Sequence, residues 1–389
     1  MTQLLSGKNR LGKEHPDRKE AAQCLRWLGK RKGICVLAPV FTPENERDGY
    51  IHRVKTVDES LLGGYARVYL MGDEPGCDHI RIRYIDDAHV YVRFDSFSPR
   101  QRRAVFRLIR RCGKTYIHSV YRFMAGYVAR EMTRMLFLPG VRHIWDVHGA
   151  VPEECCMNGD PGIGAVAAKI EKRLFHRASV ILCVNRAMEE HLRTKYGHTK
   201  ARFRIFSILG VEAHTAEPLP EKPVGPLRTV YAGGLQSWQC IGRMQDLMAE
   251  TMGWMSYKIL TPEPEAFLAL WGDRPPMENV SVGTCAPEKI TEEYAPCHYG
   301  LLLREDSPVN RVACPTKLIE YIQCGIVPVL SFAEIGDFAA QGMKYITDEA
   351  FARGDLPEET ERRRMAEENR RILRQMEGIR EWERENEQI

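Results

Sequence analysis

Short apolar runs rich in branched residues alternate along this chain with longer stretches in which apolar positions recur every three or four residues. That alternation predicts strands separated by helices, the pattern of parallel sheets. In the first part of the chain strands are expected at 33–40 (GICVLAPV), 66–71 (ARVYLM), 116–120, 143–147, 178–184 and 201–209, with a hairpin-like pair between 80 and 94 around Asp86-Asp87. Residues 1–32 read as polar and then helical, and 186–196 as a further helix. The segment 212–226 carries four prolines and no periodicity, which marks a linker. A second alternating series follows, with strands at 227–232, 257–260, 280–282, 298–303 and 326–330 and a helix at 241–252. From 357 onward the chain turns charged, and Met365, Ile372, Met376, Ile379 and Trp382 keep helical spacing, so a long amphipathic helix is expected there. The organisation expected is an N-terminal domain over 1–211, a linker over 212–226, a second domain over 227–356 and a terminal helix over 357–389.

One stretch concentrates the chemistry: LLLREDSPVNRVACPTKLIEYIQCGIVPVL, from Leu301 to Leu330. An apolar strand ends in Arg304, and a polar loop of turn residues runs from Asp306 to Asn310. Pro315 and Thr316 open a short helix, with Thr316 a good N-cap type. Gly325 stands at the C′ position that glycine favours, and a second strand follows. The polar residues therefore sit at the carboxyl end of a strand and at a helix N-terminus, where open α/β sheets bind ligands. Free N–H groups at such a terminus suit a phosphate, and Arg304 and Lys317 add full positive charge. Glu320, one turn into the helix, has two oxygens for a vicinal pair of ribose hydroxyls. Read without their surroundings, Lys317 and Glu320 equally describe an exposed pair on a surface helix.

Composition narrows the class. At 389 residues two domains are the default, and 44% apolar with 28% charged residues is ordinary for a globular protein. The twelve cysteines are scattered, form no CxxC, and several lie in apolar runs, so reduced, buried thiols are expected. No apolar run reaches the length of a bilayer span, and the first residues contain no signal-like apolar core. A cytoplasmic protein is expected, with peripheral attachment to the inner face of a membrane left open. The net charge of +4 is too small to imply nucleic acid.

The order P-x-K-x-x-E-Y followed by C-G-x-x-P-V, carried by Lys317, Glu320, Tyr321, Gly325 and Pro328, resembles the nucleotide-sugar signature of GT-B glycosyltransferases, in particular the group 1 (family 4-like) retaining enzymes. That resemblance implies two Rossmann-like doubly wound domains facing a cleft, a nucleotide diphosphate sugar as donor, and a last helix that crosses back to the first domain. It implies no metal and no other cofactor, and the sequence contains no D-x-D. Many members carry a second Glu eight residues before the ribose Glu, and here that position is Val312. Front-face attack, with the leaving phosphate taking the acceptor proton, would require no protein nucleophile.

Three further features take meaning from this resemblance. In VYAGGLQSWQ a strand ends in Gly233-Gly234, where backbone N–H groups can approach a pyrophosphate, although a plain tight turn reads the same way. The family often places Lys-Gly a few positions on; here Ser237 to Cys240 stand there, which leaves Arg304 and Lys317 to carry the charge, with Arg243 as a contributor. In WDVHGAVPEE, His148 follows a strand, as does the His that lies near the transferred sugar in group 1 enzymes; a histidine capping the next turn is the alternative. Glu153 and Glu154 are read as helix-capping residues. His118, Gly49 and Tyr50 are the acceptor-side candidates. The catalytic set expected is His148, Arg304 and Lys317, and the donor-binding set is Gly233, Gly234, Arg304, Thr316, Lys317 and Glu320.

From Arg100 to Lys114 (RQRRAVFRLIRRCGK) there are seven basic and no acidic residues, with Val105, Leu108, Ile109 and Cys112 on one helical face and Arg103, Arg107, Arg110 and Lys114 on another. Such a helix fits an anionic membrane surface or a lipid-linked acceptor phosphate, and equally a solvated face. The function expected is sugar transfer to a glycan or lipid-linked acceptor, with retention, in cell-surface polysaccharide or glycoconjugate synthesis. A nucleotide-sugar 2-epimerase of the same fold and a non-catalytic nucleotide-sugar-binding subunit are the alternatives. A nucleic-acid partner is not expected, because no aromatic stacking pattern accompanies the arginines.

Overall fold

The computed structural model describes residues 16–41, 49–124, 130–207 and 219–386. The expected alternation is present. The strands are β1 (Gly33–Leu37), β2 (Ala66–Met71), β3 (Arg81–Tyr84), β4 (His89–Arg93), β5 (Lys114–His118), β6 (Arg142–Val147), β7 (Val180–Cys183), β8 (Arg202–Ile205), β9 (Arg228–Ala232), β10 (Ser256–Leu260), β11 (Val280–Gly283), β12 (Tyr299–Leu302), β13 (Val327–Leu330) and β14 (Ile346–Thr347). They form two sheets, in the orders β3-β4-β2-β1-β5-β6-β7-β8 and β11-β10-β9-β12-β13-β14. The architecture is α/β with Rossmann-like winding, as expected. The second sheet is parallel throughout. The hairpin read around Asp86-Asp87 is the antiparallel pair β3–β4, whose turn is closed by Asp86 Oδ1 accepting from the Ala88 and His89 amides.

Contacts group the chain into two compact units, Met1–Val40 with Val57–Ile144, and Phe41–Thr56 with Trp145–Ile389. In the first, β1 is buried along its length between parallel neighbours β2 and β5. The basic helix spans Pro99–Cys112; Ser98 Oγ accepts from the Gln101 amide, and Gly113 ends the helix at a φ of +67°. Its apolar side turns inward through Ala104, Val105, Leu108 and Ile109, while Arg103, Arg107 and Arg110 are exposed.

In the second unit the core of the β9–β14 sheet has two faces. Tyr231, Tyr299, Leu301, Val327 and Val329 pack on one side with Met244, Met248 and Phe267. Val230 and Ile326 pack on the other with Tyr294, Tyr321 and Cys324. Adjacent residues of β9, Val230 and Tyr231, thus serve opposite faces, as the pleat requires. The sheet order reverses between β9 and β12, so the crevice beyond their carboxyl ends is the switch point of the winding. The long terminal helix, Glu359–Asn386, contributes Met365 and Ala366 to the first face. Residues 212–218 of the proline-rich segment lie outside the described residues. Its remainder is docked: Lys222 Nζ donates to the carbonyls of Ala295 (3.0 Å) and Cys324 (2.8 Å).

Two local expectations are corrected. Asp306 to Asn310 is not all loop, because Pro308–Arg311 forms a short helix whose N-cap Ser307 accepts from the Asn310 amide. Thr316 is not the N-cap of the next helix: Pro315 holds that position and Thr316 is the first helical residue, with no side-chain cap. Proline fixes an extended entry to the helix but offers no cap oxygen, so the terminal N–H groups keep no side-chain cap.

Candidate functional site

The carboxyl ends of β9 and β12 carry the groups the sequence points to. Gly233 leaves β9 at a φ of +151°, a conformation open to glycine alone, and its amide donates to the Leu260 carbonyl. A Cβ there would stand 2.5 Å from Lys317 Nζ. The glycine is therefore required both for its backbone angle and for the approach of the lysine. Lys317 is buried, lies 4.1 Å over the Tyr231 ring and donates to Gln239 Oε1 at 3.0 Å. So the lysine from the helix brings its charge to the Gly-Gly turn, where Gln239 stands near the family's usual Lys-Gly. Tyr321 holds the helix to the sheet beneath, with its hydroxyl donating to the Val230 and Leu301 carbonyls and its ring pressed on Gly300.

Arg304, just past β12, is 7% exposed. One guanidinium nitrogen reaches Asn310 Oδ1 at 3.4 Å, and its Nε has no hydrogen-bond partner among the described residues. Burial lowers its pKa to about 10, so it keeps its proton at neutral pH. For Lys317, burial first and the neighbouring Arg304 charge second push the pKa well below the ordinary lysine value. Neither cation makes an ion pair with a carboxylate among the described residues. Glu320 accepts from the Tyr294 hydroxyl at 2.9 Å through one oxygen, and burial raises its pKa while Tyr294 and Lys317 pull it back. Thr316 is exposed at the helix start. Arg243, the proposed contributor, is instead held by Asp348 at 2.5 Å.

His148 follows β6 and lines a cavity of about 200 Å³ with Gly149, Glu154, Trp238, Arg304, Val309, Val312, Ala313, Cys314 and Pro315. Its lining is polar at His148, Glu154 and Arg304 and apolar at Trp238, Val309 and Val312. Gly149 is pressed by the Glu154 carboxylate, whose Oε1 would lie 2.3 Å from any Cβ added there. Glu154 thus faces this pocket, while its neighbour Glu153 turns away to Lys195 (2.7 Å) and His191 (3.3 Å). Against the upward push of burial, those two partners hold the Glu153 pKa down at about 2.

Tyr50 stands edge-on to His148 with ring centroids 4.9 Å apart, one residue into the helix that Gly49 begins. Sequence reading did not foresee what seats that pair. Arg53, three residues on, forms a buried two-nitrogen contact with Asp146 (Nε–Oδ2 2.9 Å, Nη2–Oδ1 2.5 Å) and donates to the Phe206 carbonyl. The aspartate of DVHG thus locks the helix that carries Tyr50 to the strand that carries His148. His118, in the other compact unit, is fully buried at the end of β5, with Nδ1 2.9 Å from the Tyr116 hydroxyl. Trp238, Asn310, Gln239 and Tyr294 also belong to the site and were not singled out; nothing in their local spacing marks them.

Residues 66–207 match the family model for Glycosyltransferase Family 4. No curated protein matches the sequence. Among solved structures, sucrose-phosphate synthase from Thermosynechococcus elongatus aligns at 12% identity and a TM-score of 0.58, over 90% of this chain and 97% of that one. Anabaena HepE, in complex with UDP and glucose, aligns at 12% identity and 0.59, over 90% and 98%. An E. coli structure described as trehalose-6-phosphate bound with UDP-2-fluoro glucose aligns at 11% identity and 0.55, over 90% and 97%. The fold is the GT-B fold. The family match falls in the first half of the chain, whereas the signature that first suggested the resemblance lies in the second, so two separate stretches point to group 1 GT-B glycosyltransferases.

Proposed function

Taking the chain as a glycosyltransferase of the GT-B, group 1 kind, we propose that it transfers a sugar from a UDP-sugar to a glycan or lipid-linked acceptor, with retention. The observation that carries this reading is the pair Arg304–Lys317: two buried basic side chains, with the Arg304 charge lowering the affinity of Lys317 for a proton and neither paired with a carboxylate among the described residues. Burying an unpaired charge is costly unless an anion joins it. The diphosphate of a nucleotide sugar, seated over Gly233, supplies two negative groups at that point. Glu320 then takes the ribose hydroxyls, and the sugar extends toward His148.

In this reaction the bond from the anomeric carbon to the diphosphate oxygen breaks while the acceptor oxygen bonds to the same carbon from the same face. The acceptor proton passes to the leaving diphosphate. Negative charge grows on the diphosphate in the transition state, and Arg304 and Lys317 stabilise it in a site screened from water. Two side-chain cations meet that need without a metal ion, so turnover should persist in EDTA. His148 orients the sugar through a hydroxyl. Neighbours solved with UDP and with a UDP-sugar support uracil as the base.

For the acceptor, Arg103, Arg107 and Arg110 support a membrane-bound or lipid-linked substrate: they are exposed, with no ion pair among the described residues, and no described helix is long and apolar enough to cross a membrane. A role in cell-surface polysaccharide or glycoconjugate synthesis follows from such an acceptor. The test is a thermal-shift screen of UDP-, GDP-, ADP- and dTDP-sugars. Stabilisation by UDP-sugars above the others is the expected result. No shift with any nucleotide sugar would defeat the reading.

A further inference from the structure

Asn185 lies just beyond β7 and caps the helix Arg186–Tyr196; it is 2% exposed, and every polar atom of its side chain is engaged. Oδ1 accepts from the Met188 amide at 2.8 Å. Nδ2 donates to two consecutive carbonyls, Val312 at 3.0 Å and Ala313 at 3.1 Å. Because only the nitrogen can face two carbonyls, this network fixes the amide's orientation. The two amides before Met188 are taken by Asp337, whose carboxylate accepts from Arg186 (2.8 Å) and Ala187 (2.9 Å). Gly336 sits between them at a φ of +52°; a Cβ there would stand 2.4 Å from the Ala313 oxygen and 2.7 Å from Asn185 Nδ2.

Two stretches far along the chain thus converge on one helix start. One of them, Val312–Ala313, is wall of the cavity that His148 and Arg304 share, and leads within four residues to Lys317. A general N-cap needs only an acceptor, which Asp or Ser supplies as well as Asn. The two donations to Val312 and Ala313 are extra to capping, and only the carboxamide can make them.

We propose that Asn185 is a positioning residue of the transfer reaction: its amide holds the Val312–Ala313 wall against the sugar end of the cavity, so that it governs turnover and leaves nucleotide affinity unaffected. This rests on the glycosyltransferase reading. Of the groups assigned to the nucleotide, Lys317, Glu320 and the Gly233 turn are held by Tyr321, Tyr294 and Gln239, and Arg304 reaches Asn310; Asn185 hydrogen-bonds to none of these holders. Loss of the clamp therefore misplaces the sugar relative to His148 without releasing UDP.

Asn185→Asp tests this. It keeps the cap to Met188 and turns both donations into an oxygen facing carbonyl oxygens; Asn185→Ser keeps a cap oxygen with no added charge, in case the aspartate folds poorly. UDP-sugar turnover should fall on the order of 10-fold or more in both, the scale of a misplaced reactant. The Kd for UDP should stay within about twofold, since Lys317, Glu320 and the Gly233 turn keep the partners that hold them. Amide hydrogen exchange should quicken across 310–316 and stay unchanged across 188–196. Unaltered exchange at 310–316, unaltered turnover, or UDP affinity lost in step with turnover would each overturn the assignment. A wild type that turns over no nucleotide sugar would sink the transferase reading instead, and the exchange data alone would then decide whether Asn185 holds the segment.

Discussion

Arg103, Arg107 and Arg110 stand on the outer face of one helix, exposed and without carboxylate partners among the described residues; Arg304 and Lys317 also lack such partners, yet they are buried. Both groups are basic and both lack carboxylate partners, and the meaning is opposite. An exposed guanidinium is solvated by water and is stable alone. A buried cation loses that solvation, and the Arg304 charge further disfavours the proton on Lys317. Burial turns an ordinary surface feature into a demand for an anion. The stretch from Arg100 to Lys114 was conspicuous in the sequence, with seven positive charges, and only two cations mark the β9–β12 crevice; burial, not charge density, is what singles out the crevice.

The largest effect should follow from removing a buried cation. Lys317→Met or Arg304→Met should lower turnover by roughly 10²–10³, the scale of losing one preorganised transition-state donor, and change the donor KM much less. The nucleotide-free variant should be as stable as wild type or more so, because an uncompensated buried charge is gone. A KM effect alone would make these residues ground-state binders.

Glu320→Ala should weaken UDP binding by about 1.5–3 kcal/mol, the range for hydrogen bonds to a charged group. Titration calorimetry on the folded variant checks it, and unchanged affinity would remove the ribose assignment.

Two buried histidines extend the comparison. Burial lowers the pKa of His143 to about 4, and burial first, then the Arg362 and Lys222 charges, lower that of His298 to about 4. Each stays neutral in the folded protein while the unfolded chain takes up its proton near the ordinary value of about 6.5. Between those values the unfolded state binds more protons, so stability should fall as the pH drops from 6.5 toward 4, by up to about 2 kcal/mol for each histidine. Urea unfolding at pH 7 and 4.5 measures this; a flat profile would mean that neither imidazole is held neutral.

The smallest effect belongs to the surface. Replacing Arg103, Arg107 and Arg110 with Gln should change unfolding stability by no more than about 0.5 kcal/mol. The same variant should lose cosedimentation with anionic vesicles, where each cation near the surface contributes about 1 kcal/mol, and retain turnover of a soluble acceptor. Equal vesicle binding by both proteins would return that face to plain solvated surface.

Much of this was legible before any coordinates. The order strand, helix, strand between Leu301 and Leu330 was legible because its signals are local: branched runs, a proline at the helix start, Gly325 at its end. The pieces that seat the site were not legible, because each is a bond across long stretches of chain. Arg53 meets Asp146 at a separation of 93 residues, and Asn185 meets Val312 at 127. No periodicity encodes such a pairing; it appears only when β6, β7 and the turn after β12 are brought together. Thr316 shows the opposite failure, a good N-cap residue type displaced by one position because the preceding proline takes the extended entry angle.

Titration of UDP into three proteins tests the central claim: wild type, Lys317→Met, and the triple Arg103, Arg107, Arg110→Gln variant. The account predicts that wild type and the triple variant bind alike, and that Lys317→Met loses on the order of 10-fold or more in affinity, as expected when a charge-assisted contact to phosphate is removed. Equal binding of UDP by Lys317→Met and wild type would contradict it, since the buried cations would then be serving the fold and not an anion.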